Sequence, residues 1–225
     1  MKCYCYETET EFIFCVEDAE GAIYENLQSD QFWTKTDDDK FIKVYPIENN
    51  DDDEWYNDKA YKELIKKNFA QLGKSWIEGI FDWKKVLFFI VRKFAENEIE
   101  WYILGSVSEA TLGVSIIPHD IDIAVHTKDF YKVKDLLKEY VIEPFVDNKG
   151  AWLVRYFGKL CIDGASVDIC ADNKMNFENN FKNYEKVSWN NYDIFITPLK
   201  LRYETEIQRG RTDRVKAIEK YMNCH

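Results

Sequence analysis

Two aspartates, Asp120 and Asp122, stand one residue apart in an otherwise apolar run that reads HDIDIAV. Aspartate is uncommon in β-strands, because its short polar side chain competes for backbone hydrogen bonds. Side chains alternate between the faces of a strand, so a strand over 119–125 would present both carboxylates on one face, roughly 7 Å apart. They would repel each other unless a cation lay between them, and Mg²⁺ prefers such oxygen ligands. The pattern predicts a divalent-metal site.

A third aspartate with the same property, Asp168, lies in the strand-like run ASVDICA. If its strand neighbours the strand of Asp120 and Asp122, the three carboxylates form a triad. Asp168 would then share the metal and accept a proton from an attacking hydroxyl. Asp163 and Asp172 are alternatives for this third position, although both lie nearer to turn-like residues.

A glycine and a serine, Gly105 and Ser106, end the apolar run WYIL that precedes the two aspartates. Glycine permits close approach of the backbone, and the N–H groups at a helix N-terminus bind phosphate well. A Gly-Ser pair at such a junction is more often an ordinary tight turn. Its position shortly before the aspartates is what favours a phosphate-binding role.

The elements that must position these residues can be read from hydrophobic periodicity. Strands are predicted at 101–104, 119–125, 152–156, 165–169 and 192–196, and helices at 58–72, from 82 onward, at 106–112, at 128–139 and from 198 onward. Asp82 is the expected N-cap of the second helix. Alternation of strands and helices from residue 82 predicts an α/β or α+β domain.

The first fifty residues are rich in β-strand patterns. FIFCV predicts one strand, and FWTKT and FIKVYPI, separated by DDDK, predict a hairpin. The acidic stretch 48–58 is the best linker candidate. We therefore expect a β-rich segment over 1–57, a connecting helical segment over 58–81 and a larger domain over 82–225.

Charge and composition restrict the class of protein. The formal net charge of −11 argues against broad nucleic-acid binding, which needs an excess of lysine and arginine. No run approaches the 18 or so apolar residues of a membrane span, and the N-terminus lacks the apolar stretch of a signal peptide. The six cysteines are then expected to be reduced thiols, and the expected location is the cytoplasm. The sequence leaves open whether the chain forms a homodimer.

The combination of Gly105-Ser106, Asp120-Ile121-Asp122 and Asp168 resembles the signature of the DNA polymerase beta-like nucleotidyltransferase superfamily. The stretch LGSVSEATLGVSIIPHDIDIAV is most similar to its small-molecule branch, which includes aminoglycoside and lincosamide nucleotidyltransferases, and minimal toxin–antitoxin relatives share the core. The resemblance covers roughly residues 82 to 220. It implies an α+β fold with a mixed sheet flanked by helices and a helical C-terminus, to which the small β-rich N-terminal segment is an addition.

The resemblance implies a magnesium-dependent enzyme that moves an NMP group from an NTP, with ATP expected, to a hydroxyl of an unidentified acceptor of the small-molecule class, by a two-metal mechanism. Asp120, Asp122 and Asp168 would be catalytic and would bind Mg²⁺ or Mn²⁺, and Gly105 and Ser106 would bind the nucleotide phosphates. Arg211, in the basic tail, is the candidate triphosphate contact. The alternative for Arg211 is a helix-surface charge paired with nearby glutamates or with Asp213.

A second hypothesis assumes the same nucleotidyltransferase fold but no catalytic turnover. The chain would then be a nucleotide-binding regulatory or toxin–antitoxin module with protein or RNA as its target. Addition of nucleotides to RNA ends is disfavoured by the acidity of the chain and by the lack of a long basic C-terminal domain.

Overall fold

The computed structural model describes residues 1–47, 54–78, 81–149, 154–171 and 184–224. Within these residues the chain folds into two β-sheets and seven α-helices. This mixture confirms the α+β class.

The N-terminal residues form a small antiparallel sheet of four strands in the order β1-β2-β4-β3. These strands are β1 (Lys2–Glu7), β2 (Glu11–Glu17), β3 (Thr34–Lys35) and β4 (Phe41–Pro46), and helix α1 (Gly21–Ser29) lies between β2 and β3. The predicted hairpin is present as β3 and β4. Helix α1 was not predicted, because it lacks a side-chain N-cap and acidic residues in its first turn.

The remaining strands form a mixed sheet of seven strands in the order β10-β11-β5-β6-β9-β8-β7. They are β5 (Trp101–Ile103), β6 (Ile121–Val125), β7 (Val141–Asp147), β8 (Tyr156–Ile162), β9 (Ala165–Ala171), β10 (Glu185–Trp189) and β11 (Tyr192–Ile196). The β6–β9 and β5–β11 pairs are parallel, and the others are antiparallel.

Six further helices surround or connect these strands. They are α2 (Lys59–Glu78), α3 (Trp83–Glu96), α4 (Gly105–Leu112), α5 (Phe130–Leu136), α6 (Leu199–Gln208) and α7 (Thr212–Met222). The predicted N-cap of α3 is confirmed, since the Asp82 carboxylate accepts hydrogen bonds from the backbone N–H groups of Lys84 (3.0 Å) and Lys85 (3.2 Å).

Two of the predicted elements need correction, and two strands of the large sheet were not predicted. The helix expected at 128–139 is interrupted, with 3₁₀ turns before and after α5. In place of the strand expected at 152–156, strand β8 begins at Tyr156. Residues 152 and 153 of the expected strand lie outside the described ranges. Strands β7 and β10 were missed, because β7 contains Glu143 and Pro144 and β10 is largely polar. Strand β7 is an edge strand, where proline is tolerated.

Helix α2 packs against both sheets. The ring of Phe69 on α2 lies edge-on to Phe14 of β2, with centroids 5.1 Å apart, and the side-chain amide of Asn68 donates to the backbone carbonyl of Val141 at 2.9 Å. One continuous buried cluster contains residues of the small sheet, of α2 and of the large sheet. The division of the chain at residues 57 and 81 stays a prediction.

The described residues contain no helix that is both long enough and apolar enough to cross a membrane. No disulfide joins the six cysteines, all of which lie in the described ranges.

Replacement of Asp82 by alanine should destabilise the protein by about 1 kcal/mol, because the first turn of α3 loses its side-chain acceptor. Urea unfolding of Asp82→Ala beside Asp37→Ala, which changes an exposed loop aspartate, measures the effect. Equal stability of the two variants would contradict the capping role.

Candidate active site

The register of two neighbouring strands brings the predicted carboxylates together. Strands β6 and β9 run parallel with Asp122 directly opposite Asp168, and Asp120 immediately precedes β6. Residues at directly opposite positions share a face of the sheet. The register therefore places two of the three aspartates singled out in the sequence opposite each other, and the third, Asp120, lies two residues before Asp122.

The site is electrostatically unfavourable for its own carboxylates. Burial, together with the neighbouring charges of Asp120 and Asp168, raises the pKa of Asp122 from 3.8 to about 7. Burial also raises the pKa of Asp168, although the ammonium group of Lys159 opposes this increase. Burial removes water from both carboxylates and so destabilises their charged forms, whereas a neighbouring positive charge stabilises these forms.

Helix α4 begins against the Asp122 carboxylate. Gly105, its first residue, has a left-handed backbone with φ of +61°, and a Cβ atom there would lie 2.0 Å from Asp122 Oδ2. The backbone N–H of Leu104 also donates to the carbonyl of Asp122 at 2.8 Å. Ser106 is buried in the first turn of α4. The turn that was predicted to bind phosphate is thus adjacent to the carboxylate site.

Buried polar contacts fix α4 in this position. The Ser108 hydroxyl and the Thr197 hydroxyl both donate to the carbonyl of Ile103, at 2.9 and 3.1 Å. The buried guanidinium of Arg202 on α6 donates to Glu109 on α4 at 2.8 Å and also pairs with Glu206. Its positive charge opposes the increase in the pKa of Asp122. Arg202 therefore connects the helices that flank the site.

A row of alternating charges runs from the site to the small sheet. The Lys159 ammonium on β8 lies 3.2 Å from Asp168 Oδ1, and Lys159 is directly opposite Asp168 in the antiparallel β8–β9 pair. Glu143 on β7 pairs in register with Lys159 and binds the ammonium of Lys43 on β4. We call Asp168, Lys159, Glu143 and Lys43 the charge row.

Within the charge row, neighbouring charges hold Glu143 and Lys159 in their ionised forms despite burial. Burial raises the pKa of Glu143, but Lys43, Lys159 and the Tyr45 hydroxyl outweigh burial and hold this pKa below its ordinary value. Burial lowers the pKa of Lys159, and the carboxylates of Asp168 and Glu143 raise it by more. Lys159 therefore stays charged beside Asp168.

Arg211 lies at the N-cap of α7, where its guanidinium is 3.5 Å from the buried carboxylate of Glu206. About half of the Arg211 side chain is exposed. In the sequence analysis, pairing of Arg211 with a nearby glutamate is the alternative to a triphosphate contact. The triphosphate contact of Arg211 therefore stays a prediction.

The sequence offers Asp163 and Asp172 as alternatives to Asp168 for the third carboxylate. Asp163 lies in the exposed β8–β9 turn and pairs with Lys85 at 2.7 Å, away from the triad. Asp172 lies outside the described residues.

The chemical type of the ligands suits a hard divalent cation, because all of them are carboxylate oxygens. A bound cation would also relieve the repulsion between these carboxylates. In the described part of the chain, however, no three acidic, histidine or cysteine side chains are gathered closely enough to hold a metal ion by themselves. The ammonium of Lys159 is already beside Asp168. A bound cation would therefore need oxygen ligands from a substrate as well, as Mg²⁺ commonly does.

Sequence reasoning missed Lys159, Glu143 and Arg202. Lys159 and Glu143 carry the signal that identified Asp168, namely a charged residue within an apolar strand-like run. Arg202 lies in a helix with a largely polar sequence, where nothing distinguishes a buried arginine from an exposed one.

A family model described as Aminoglycoside-2''-adenylyltransferase matches residues 86–211, slightly more than half of the chain, and this range includes the three aspartates and Gly105-Ser106. A comparison with curated proteins gives no match.

Similar solved structures include a candidate nucleotidyltransferase from Thermotoga maritima, with a TM-score of 0.47, 22% identity and coverage of 63% of this chain and 92% of that one. A lincosamide antibiotic adenylyltransferase with bound lincomycin has a TM-score of 0.43, 14% identity and coverage of 60% and 95%. An antigenic nucleotidyltransferase-like protein from Paracoccidioides brasiliensis has a TM-score of 0.39, 12% identity and coverage of 60% and 74%.

Replacement of Gly105 by alanine should destabilise the protein more than replacement of Gly210. Both glycines have a left-handed backbone, but a Cβ at Gly210 would meet no atom within 4 Å. Gly210→Ala should cost roughly 1 kcal/mol from backbone strain, and Gly105→Ala roughly 1–3 kcal/mol more because the carboxylate must move. Urea unfolding compares the two variants, and equal losses would contradict the contact.

Replacement of Asp122 by asparagine should stabilise the protein in metal-free buffer at alkaline pH. The folded-state pKa of Asp122 exceeds its unfolded value, so folding takes up a proton between about pH 4 and pH 7. Stability is therefore lost as the pH rises through this window. The expected gain is roughly 1–3 kcal/mol at about pH 8, because one pKa unit corresponds to about 1.4 kcal/mol and the side chain keeps some solvent contact.

The gain should shrink at about pH 5. Urea unfolding in the presence of a chelator at both pH values measures it, with Asp37→Asn as the exposed control. A gain that is independent of pH would count against this account of Asp122.

Proposed function

The chain belongs to the aminoglycoside-2''-adenylyltransferase family, and on this premise we propose that it transfers the AMP group of ATP to a hydroxyl of a small molecule. Membership makes the chain a nucleotidyltransferase. The observation that carries the proposal is the register that sets Asp122 opposite Asp168 beside the start of α4. The cytoplasmic location stays a prediction, and the formation of a homodimer stays an open question.

The start of α4 suits the donor half of the reaction. Backbone N–H groups at a helix N-terminus attract phosphate oxygens, and Gly105 leaves no side chain between the backbone and the Asp122 carboxylate. We propose that Gly105 and Ser106 bind ATP phosphates and orient the α-phosphate toward the carboxylates. Arg211 stays a candidate for a further phosphate contact.

In the proposed reaction an acceptor oxygen forms a bond to the α-phosphorus of ATP. The bond from that phosphorus to the oxygen bridging to the β-phosphate breaks, and pyrophosphate leaves with the electron pair. Asp168 is the proposed acceptor of the hydroxyl proton, because its carboxylate lies opposite Asp122 at the site where the acceptor hydroxyl would have to approach. Lys159 holds this carboxylate in place.

Asp120, Asp122 and Asp168 are the residues that would hold Mg²⁺ or Mn²⁺. A bound divalent cation would neutralise charge on the nucleotide phosphates. The proposal is supported by the carboxylate donor set and by the raised pKa of Asp122, which burial causes first and the neighbouring carboxylates of Asp120 and Asp168 increase further.

The family description names an aminoglycoside as the acceptor. We therefore propose a hydroxylated small molecule of the antibiotic type as the acceptor class. Incubation of the protein with ATP, Mg²⁺ and a panel of aminoglycosides, other hydroxylated small molecules, RNA and proteins tests this. The expected product is a small molecule heavier by one AMP group.

Replacement of Asp120 by asparagine should reduce AMP transfer by at least about 100-fold, because one negative ligand for the cation is lost. The substitution preserves size, and circular dichroism should show an unchanged fold. Pyrophosphate release measures the activity.

Asp163→Asn is the matched control, since Asp163 lies in an exposed turn. Full magnesium-dependent activity of Asp120→Asn would rule out the assignment. ATP binding by the unsubstituted protein without pyrophosphate release on any acceptor would instead favour the nucleotide-binding module.

A further inference from the structure

A cavity of about 540 Å³ opens between the two sheets and reaches Asp168. One wall comes from the chain after α1 and from β4, including Asp30, Phe32 and Tyr45. The opposite wall comes from β7 and β8, including Phe157 and Lys159. The cavity therefore ends at the carboxylate that the proposed reaction uses as its base.

The first wall is a feature of this chain outside the range that the family model matches. The match begins at residue 86, whereas Asp30, Phe32 and Tyr45 all precede it. The charge row fixes this wall in place, because Lys43 and the Tyr45 hydroxyl both bind Glu143 of the large sheet. The small sheet is thus joined to the site by buried polar contacts.

The charges around the cavity favour a cationic ligand. Lys43 and Lys159 are each paired with a carboxylate, Glu143 and Asp168 respectively. Asp30 adds a further negative charge to the lining, and its Oδ1 accepts a hydrogen bond from the backbone N–H of Phe32 at 2.9 Å. Counted together with Glu143, which is not part of the lining, these groups carry one net negative charge, so a protonated amine would be attracted more than an anion.

The lining also offers aromatic surface. Phe32 is 39% exposed at the cavity and lies near the Lys43 ammonium, with its ring centroid 5.3 Å from Nζ. Phe157 and Tyr45 contribute further rings. Ammonium groups of Lys43 and Lys159 already lie near these rings. The rings therefore offer a ligand mainly a surface on which the apolar face of a sugar or other ring can pack.

We propose that the acceptor binds in this cavity, and that Asp30 and Phe32 select a hydroxylated molecule that carries a protonated amine and a ring. The inference rests on the proposed function, which requires an acceptor hydroxyl next to Asp168. It adds that the N-terminal segment determines acceptor specificity.

The test measures binding and turnover separately. Isothermal titration calorimetry without ATP uses kanamycin as a cationic hydroxylated probe, maltotriose as a neutral probe and glucose 6-phosphate as an anionic probe. Kanamycin should bind most tightly. Asp30→Asn and Phe32→Ser should each weaken its binding by about tenfold, and should raise the acceptor KM for AMP transfer with little change in the KM for ATP.

Asp37→Asn and Tyr6→Ser are the matched controls. Asp37 is an exposed aspartate, and Tyr6 is an aromatic residue of similar exposure (41%), and neither lines the cavity. Both variants should bind kanamycin like the unsubstituted protein.

Tighter binding of glucose 6-phosphate than of kanamycin, or the absence of kanamycin binding, would overturn the cavity assignment. The assignment would also be overturned if neither Asp30→Asn nor Phe32→Ser changed the binding of kanamycin or the transfer of AMP to it. Failure of the proposed function would give a different combination of binding and transfer results. Kanamycin binding that depends on Asp30 and Phe32, without AMP transfer to any acceptor, would support the cavity as a ligand site and contradict the transferase assignment.

Discussion

Like-charge repulsion between two neighbouring carboxylates is the constraint around which the large sheet is arranged. The parallel register of β6 and β9 places Asp122 opposite Asp168, and the surrounding strand residues Ile121, Ile123, Val167 and Ile169 are fully buried. A shift by one residue would turn these apolar side chains toward the site and the carboxylates into the core. Burial of the aliphatic side chains therefore keeps the carboxylates together despite their repulsion.

The rest of the structure moderates this repulsion. Lys159 supplies a positive charge next to Asp168, and the positive charge of the buried Arg202 on α6 opposes the increase in the pKa of Asp122. Gly105 lets the N-terminal end of α4, with its partial positive charge, approach Asp122 without a side chain between them. The pKa values of both carboxylates nevertheless stay raised, first because of burial and then because of neighbouring carboxylates. A cation bound beside these carboxylates would favour their charged forms.

Features that follow from local sequence patterns were predictable, and those that depend on long-range packing were not. The Asp residues stood out because each interrupts an apolar run, and the Asp82 cap is encoded within a few residues of its helix. Lys43 and Glu143 are 100 residues apart, and periodicity does not reveal which strands become neighbours. The cavity depends on that contact, so it could not be predicted. The broken helix around α5 shows the same limit, because local propensity favours a longer helix than tertiary packing allows.

The proposed acceptor wall and the carboxylate site occupy separate stretches of sequence. The wall after α1 and on β4 comes from residues 29–45, while the strands and helix that carry the carboxylates and the Gly-Ser turn lie at 101–171. In evolutionary terms this arrangement is modular. Substitutions and insertions in the loop after α1 can alter which molecules enter the cavity while the β6–β9 register stays unchanged. A lineage with this architecture can therefore diversify its acceptors without rebuilding its reaction centre.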